Sequence, residues 1–355
     1  MRFAVGIALV LAVMALLMAC GTDTAPTVVQ QKSALPTLGQ DVMTADDGMD
    51  LPIHSWVAQD ETRAVVIAAH GMNDYAGSFD QPARAWTLSG ITTYAIDQRG
   101  FGRAGRRGLW YGADRMANDL LTLARLARQR HSGVLVFLLG ESMGGAVAVL
   151  AAARAEPNLL AGLVLAAPAI WGKGARAELL YSAAMALSTV VPAFTVPPLS
   201  VENPSTDDPV VLKRLREDPL IIHRTRLDTL AGIVALMRNA REGAGAVAVP
   251  TLVLLGDLDR HVPRDGVAAL LERLPQPGAA PGTTLALYDH GRHLLMRSLN
   301  GGRVTADIAA WMLSPGQHLP SAADARAKAC PQLLLAPNRA CAADRIAASA
   351  ERKAQ

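Results

Sequence analysis

Gly140-Glu141-Ser142-Met143-Gly144 is where residue type and spacing first point to chemistry. A G-x-S-x-G pentapeptide exposes a serine hydroxyl at a sharp turn when a strand precedes it and a helix follows. The apolar run Gly133–Leu139 stands directly before it, and Met143–Ala155 can continue as a helix. Glycines beside the serine allow close backbone packing where a Cβ would collide. The helix N-terminus favours developing negative charge. A serine hydroxyl is a weak nucleophile until a base takes its proton and an acid orients the base. Two later runs offer those groups. Gly256-Asp257-Leu258-Asp259-Arg260-His261-Val262-Pro263 carries two carboxylates and an imidazole, and Tyr288-Asp289-His290-Gly291-Arg292-His293 carries two imidazoles. Each follows a short apolar run, Thr251–Leu255 or Thr284–Tyr288, so each lies just past a strand end. By type alone Asp257 or Asp259 could be the acid and His290 or His293 the base. His261 sits beside the acid on the same run, a place that argues against the base role. The chemistry implied is acyl transfer through Ser142. It needs two main-chain N–H donors for the oxyanion, one of them expected from Met143.

The elements that must position these groups follow an alternating pattern. Arg63–His70, Ile91–Ile96, Gly133–Leu139, Leu163–Ala167, Thr251–Leu255 and Thr284–Tyr288 read as strands. Phe79–Leu88, Arg115–Arg130 and Met143–Ala155 read as helices between them. Asp47-Gly48 between short extended runs signals a hairpin. Strands apolar on both faces and alternating with helices imply an α/β fold with a mostly parallel sheet covered on both sides. Between Pro168 and Val249 the rhythm breaks into helices, Leu179–Val191 and Leu220–Arg241, separated by a proline-rich stretch. Such an insertion between sheet strands is expected to form a lid over the C-terminal edge, where open α/β sheets bind ligands. The last stretch, 314–355, is an alanine-rich tail.

Composition excludes several other classes. The 355 residues are 51% hydrophobic and 18% charged, enough to build a large core and unlike a disordered chain. A net charge of +3 and 4% aromatic content supply neither the electrostatic footprint nor the stacking platform of a nucleic-acid binder, so no nucleic-acid partner is expected. Three cysteines make no zinc site, and His290 and His293 lack the pattern of a metal-binding helix, so no metal is expected. Gly100-Phe101-Gly102-Arg103-Ala104-Gly105 spells a dinucleotide fingerprint, but Arg106–Gly112 has no helical pattern, and no cofactor is expected.

Taken in order, these motifs resemble the α/β-hydrolase superfamily, in particular its monoacylglycerol lipase and lysophospholipase-like group (the serine aminopeptidase-type hydrolase family). The similarity spans about Val42–Leu313. It includes His70-Gly71-Met72, Asp97-Gln98-Arg99-Gly100-Phe101-Gly102, the Ser142 turn, Ala167-Pro168, Asp218-Pro219-Leu220 and both C-terminal runs. The resemblance implies Ser142 as nucleophile, Asp259 as acid and His293 as base. It leaves Asp257 to shape its loop and His290 outside the site, and gives the second oxyanion N–H to Met72. His70 then has a structural role. The group commonly has Ser where Ala104 stands. The implied activity is hydrolysis of acyl esters of lipids through an acyl-enzyme. A peptidase or amidase, an acyltransferase and a non-catalytic envelope scaffold are the alternatives. Glu178, Glu202, Glu217 and Asp228 are the inserted carboxylates that could meet a substrate amine.

The chain begins with a targeting pattern. Arg2 precedes the apolar or small run Phe3–Ala19, and Leu17-Met18-Ala19-Cys20 resembles the lipobox of bacterial lipoproteins. That resemblance implies removal of 1–19, lipidation of Cys20 and attachment to the cell envelope, with Gly21 rather than Asp pointing to the outer membrane. Residues 20–40 then form a flexible tether, 41–168 and 249–313 the hydrolase core, and 169–248 the lid. In such a compartment Cys330 and Cys341 are either bridged or free, the bridge being the expectation.

Overall fold

The computed structural model describes residues 34–197, 204–276, 282–335 and 341. Cys20, the leader and Glu202 lie outside the described residues. Strand β1 (Thr37–Leu38), β2 (Val42–Thr44) and β3 (Asp50–Trp56) form an antiparallel edge, with Asp47-Gly48 at the hairpin turn and Gly48 at φ 79°. β4 (Ala64–Ala69), β5 (Ile91–Ile96), β6 (Leu135–Glu141) and β7 (Gly162–Ala166) run parallel. They cross over through α1 (Asp80–Thr87), α2 (Ala113–Arg130) and α3 (Met143–Ala152). Further on, β10 (Thr251–Gly256) and β11 (Thr283–Tyr288) complete the sheet, joined through α7 (Arg264–Leu271). Among the described residues, nine strands form it, in the order β1-β2-β3-β5-β4-β6-β7-β10-β11.

Period two decides which core each side chain joins. Val65, Ile67 and Ala69 of β4 enter one hydrophobic layer, and Ala64, Val66 and Ala68 enter the other. β6 divides in the same way, with Val136 and Leu138 against Phe137 and Leu139. Because both faces are dry, these strands read as unbroken apolar runs. α3 is buried at all ten positions, as a helix must be when it is apolar all round.

Between β7 and β10 the chain leaves the sheet. It forms α4 (Ala175–Val190), β8 (Thr195–Val196), α5 (Pro209–Glu217), β9 (Thr225–Arg226) and α6 (Leu227–Gly243). Two sequence expectations need correction here. The first inserted helix begins at Ala175, not Leu179. The helix expected over Leu220–Arg241 begins only at Leu227, and a separate α5 precedes it. Asp208 caps α5 by accepting the Val210 N–H at 2.8 Å, with Pro209 in the first turn. Pro219 keeps Asp218 extended at ψ 118°, which ends α5 and delays the next helix.

The tail is also more ordered than its composition suggests. α8 (Gly301–Leu313) is followed by α9 (Ala323–Ala329), which packs on β11. Leu319 and Ala323 join one core layer, while Ala327, Cys330, Leu333 and Cys341 join the other. Cys330 and Cys341 are bonded, with Cα atoms 5.7 Å apart. No described helix is long and apolar enough to cross a membrane.

Candidate active site

Ser142 stands between β6 and α3 at φ 55° and ψ −118°, a region costly for any residue with a Cβ. The surroundings enforce it. Ser142 N–H donates to Ala166 O at 2.9 Å, and Ser142 O accepts from Gly145 N and Ala169 N, each at 2.9 Å. The flanking glycines are required by contact. A Cβ on Gly140 would sit 2.2 Å from Gly144 O, and one on Gly144 would sit 2.1 Å from Ala69 O.

The loops after β10 and β11 bring the other two groups in. His293 Nε2 lies 2.9 Å from Ser142 Oγ, and His293 Nδ1 lies 3.0 Å from Asp259 Oδ2. An ionised carboxylate only accepts, so Nδ1 carries the proton and Nε2 is left to accept from the serine hydroxyl. Burial alone would raise the Asp259 carboxyl. The adjacent His293 and the His261 N–H, which donates to Oδ1 at 2.8 Å, instead hold it below the ordinary carboxylate value. The acid therefore remains a carboxylate while fully enclosed.

The remaining expected residues separate clearly. Asp257 accepts from Arg326, and it is Asp259 that meets His293. His290 is a largely exposed residue at φ 54°. His261 stacks on His293, with ring centroids 4.8 Å apart and planes 21° apart. Asp259, His261 and His293 offer three ligand atoms within 4.8 Å of one another. In-plane lone pairs of stacked rings run side by side rather than converging on an ion, and Asp259 Oδ2 and His293 Nδ1 are engaged with each other.

Gly71 abuts the serine: a Cβ there would sit 3.3 Å from Ser142 Cβ. Among the described residues, the N–H groups of Met72 and Met143 donate to no protein acceptor. Two main-chain donors are thus available beside the hydroxyl. His70 secures this loop. Gln98 N–H donates to its Nε2 at 3.0 Å, so Nδ1 carries the proton and donates to Gly71 O at 2.8 Å. Burial pushes its imidazole below the usual value and keeps it neutral. The Gly100–Gly105 run wraps a carboxylate of its own chain. Asp97 accepts from Ala76 N at 2.8 Å and Arg103 N at 2.9 Å, and a Cβ on Gly102 would sit 2.4 Å from it.

Sequence reasoning misses one buried assembly. Arg297 bridges Glu141 at 2.6 Å and Asp74 at 2.7 Å, tying the strand end before Ser142 to the loop of Met72. The available signal is Glu141 itself, a charge at the buried end of an apolar strand, which demands a cationic partner.

A mostly parallel sheet with helices on both faces, a serine at the strand-to-helix turn and an imidazole–carboxylate pair from two later strand ends define an α/β-hydrolase fold. Residues 60–300 match the family described as serine aminopeptidase, S33, and the chain belongs to that family. It is 28% identical over 269 residues to a monoacylglycerol lipase of Mycolicibacterium smegmatis, covering 75% of this chain and 94% of that one. It is 29% identical over 257 residues to the monoglyceride lipase of Homo sapiens, covering 71% and 82%. Its fold superposes on a soluble variant of monoglyceride lipase from Saccharomyces cerevisiae with a TM-score of 0.66 at 20% identity, over 81% of this chain and 98% of that one.

Proposed function

We propose that this protein is a serine ester hydrolase that cleaves acyl esters of lipids, of the monoacylglycerol lipase or lysophospholipase type. The observation that carries the reading is the continuous path from Ser142 Oγ through His293 to Asp259, at 2.9 and 3.0 Å. Ser142 attacks the ester carbonyl as His293 Nε2 takes its proton. Asp259 holds the resulting imidazolium in place. The Met72 and Met143 N–H groups receive the oxyanion, each such donor contributing about 3 kcal/mol to the transition state. His293 then protonates the departing alcohol. Water, deprotonated by the same imidazole, releases the fatty acid and restores Ser142.

Two observations support a lipid ester over a peptide. The insertion presents large apolar side chains to solvent, Leu179, Leu180, Leu187, Val190 and Phe194 among them, and α4 buries none of its residues. Such a surface suits contact with an aggregated lipid. Of the four inserted carboxylates, Glu178 and Asp228 are paired, with Arg238 at 3.2 Å and Arg226 at 2.6 Å, rather than held ready for a substrate amine; Glu217 forms no ion pair among the described residues, and Glu202 lies outside them. In this reading the inserted segment acts as a lid, and lipidated Cys20 holds the enzyme on the outer membrane beside its substrates.

A panel of monoacylglycerols and lysophospholipids of graded chain length, with a peptide anilide included, tests the proposal. Ester turnover that disappears in Ser142→Ala is the expected result. Faster anilide than ester cleavage would contradict it.

A further inference from the structure

We propose that Arg326 is a positioning residue that clamps the acid-bearing loop to the base-bearing loop, an inference that rests on the roles given above to Asp259 and His293. Its Nη2 lies 3.0 Å from Asp257 Oδ2 and 3.2 Å from Asp289 Oδ1. Asp257 stands two residues before Asp259, and Asp289 four before His293. One guanidinium therefore spans the two loops whose separation sets the Asp259–His293 hydrogen bond. It comes from α9, beyond residue 300 where the family match ends.

The helix that carries it is fixed in place. Ala323 enters one core layer and Ala327 the other, and the Cys330–Cys341 bond closes the segment after it. Ahead of it, Asp307 accepts from both Tyr288 Oη at 2.7 Å and Ser321 N at 3.0 Å, joining the approach to α9 to the end of β11. Arg326 itself is 13% exposed and Asp257 10%, so solvent screens their pair weakly.

The loops already touch at their roots. Asp257 N–H donates to Tyr288 O at 3.1 Å, and Leu258 N–H donates to Gly291 O at 2.9 Å. Above these bonds two carboxylates face each other. Burial raises Asp257, Arg326 opposes that rise, and Asp289 adds to it. Removing the guanidinium turns a three-charge bridge into a direct repulsion between the loops. The roots still hold, so the site loosens rather than separates.

The test is steady-state hydrolysis of a soluble aryl ester by the full chain. Rates are normalised to reactive serine by fluorophosphonate titration, and melting temperature is recorded alongside. Arg326→Gln is expected to lower kcat about three- to ten-fold with KM within about two-fold, the signature of lost geometry rather than lost binding. Arg326→Lys should retain most of the rate. Adding Asp257→Asn to Arg326→Gln should restore a substantial part of it by removing the repulsion. Asp289→Asn, at a half-exposed position, provides a test even if Arg326→Gln does not fold: kcat should fall about two-fold. An Asp289→Asn rate equal to wild type would overturn the clamp. So would an Arg326→Gln loss that Asp257→Asn does not relieve. A wild type that neither turns over ester nor takes up the probe would overturn the hydrolase reading itself.

Discussion

Protonation states at the centre of the molecule follow from what each side chain touches. Asp259 stays ionised because His293 and the His261 N–H outweigh its burial. His70 stays neutral because burial outweighs the pull of the nearby Asp74. Its folded value lies below the ordinary 6.5, so between the two values the unfolded chain binds more protons than the folded one. The stability His70 confers is therefore complete above pH 6.5 and is lost as pH falls below it. His131 and His261 are depressed by burial in the same direction. Urea unfolding should give a lower midpoint at pH 5.5 than at pH 7.5, and His70→Asn should flatten that difference. An equal dependence in both proteins would contradict the neutral, buried assignment. At this scale the candidate site is largely legible in the sequence. Ser142 announces itself by its glycines, while the places after strand ends narrow the acid to Asp257 or Asp259 and the base to His290 or His293, and the family resemblance selects Asp259 and His293. The stacking of His261 on His293 is not legible, because ring orientation depends on how two loops separated by a whole crossover come to lie together.

Among elements, the sheet is readable and the insertion is not, for a physical reason. A strand buried on both faces is dominated by apolar and β-branched residues, so its run has sharp ends. Ile91–Ile96 is bounded as its sequence suggests. Of the inserted helices, α4 and α5 bury none of their residues, and α5 is bounded by the Asp208 cap and by Pro219 instead, which places the break at Asp218-Pro219 outside any hydrophobic pattern. α9 is missed because alanine contributes weak contrast, although Leu319, Ala323 and Ala327 recur at a four-residue spacing toward the core. Helix α8 offers a direct check of packing at one element end. A Cβ on Gly301 would meet Met296 O at 2.3 Å, whereas nothing lies within 4 Å of one on Gly302. Gly302→Ala should raise stability by about 0.5 kcal/mol through helix propensity. Gly301→Ala should lower it by about 1–3 kcal/mol. Thermal unfolding of the two single variants distinguishes them, and shifts of the same sign would contradict the contact geometry.

At the scale of the whole molecule, the sheet gathers distant segments at one edge. Ser142 comes from the turn after β6, and Asp259 and His293 from the loops after β10 and β11. The segment between β7 and β10 reaches the same neighbourhood: Ser205 O accepts from Leu294 N at 2.8 Å, and Thr206 Oγ1 donates to Arg297 O at 2.6 Å. The inserted and catalytic segments are thus bonded to each other near the base, so motion of the one can be felt by the other. Attachment through Cys20 would confine this assembly to a lipid surface, since acyl chains contribute about 0.8 kcal/mol per buried methylene. In an envelope-bearing bacterial host, Cys20→Ser should move the protein from the membrane to the soluble fraction with ester turnover per molecule retained. Retention of the variant on membranes would contradict lipid anchoring.

In the proposed function Ser142 acts as the activated nucleophile of an acyl-transfer site. A fluorophosphonate probe, which phosphonylates a serine only when a neighbouring base activates it, measures this most directly. One labelled site is expected in the wild type, mapped by mass spectrometry to the peptide containing Ser142, with no labelling of Ser142→Ala and strongly slowed labelling of His293→Ala. Equal labelling of the wild type and Ser142→Ala would contradict it.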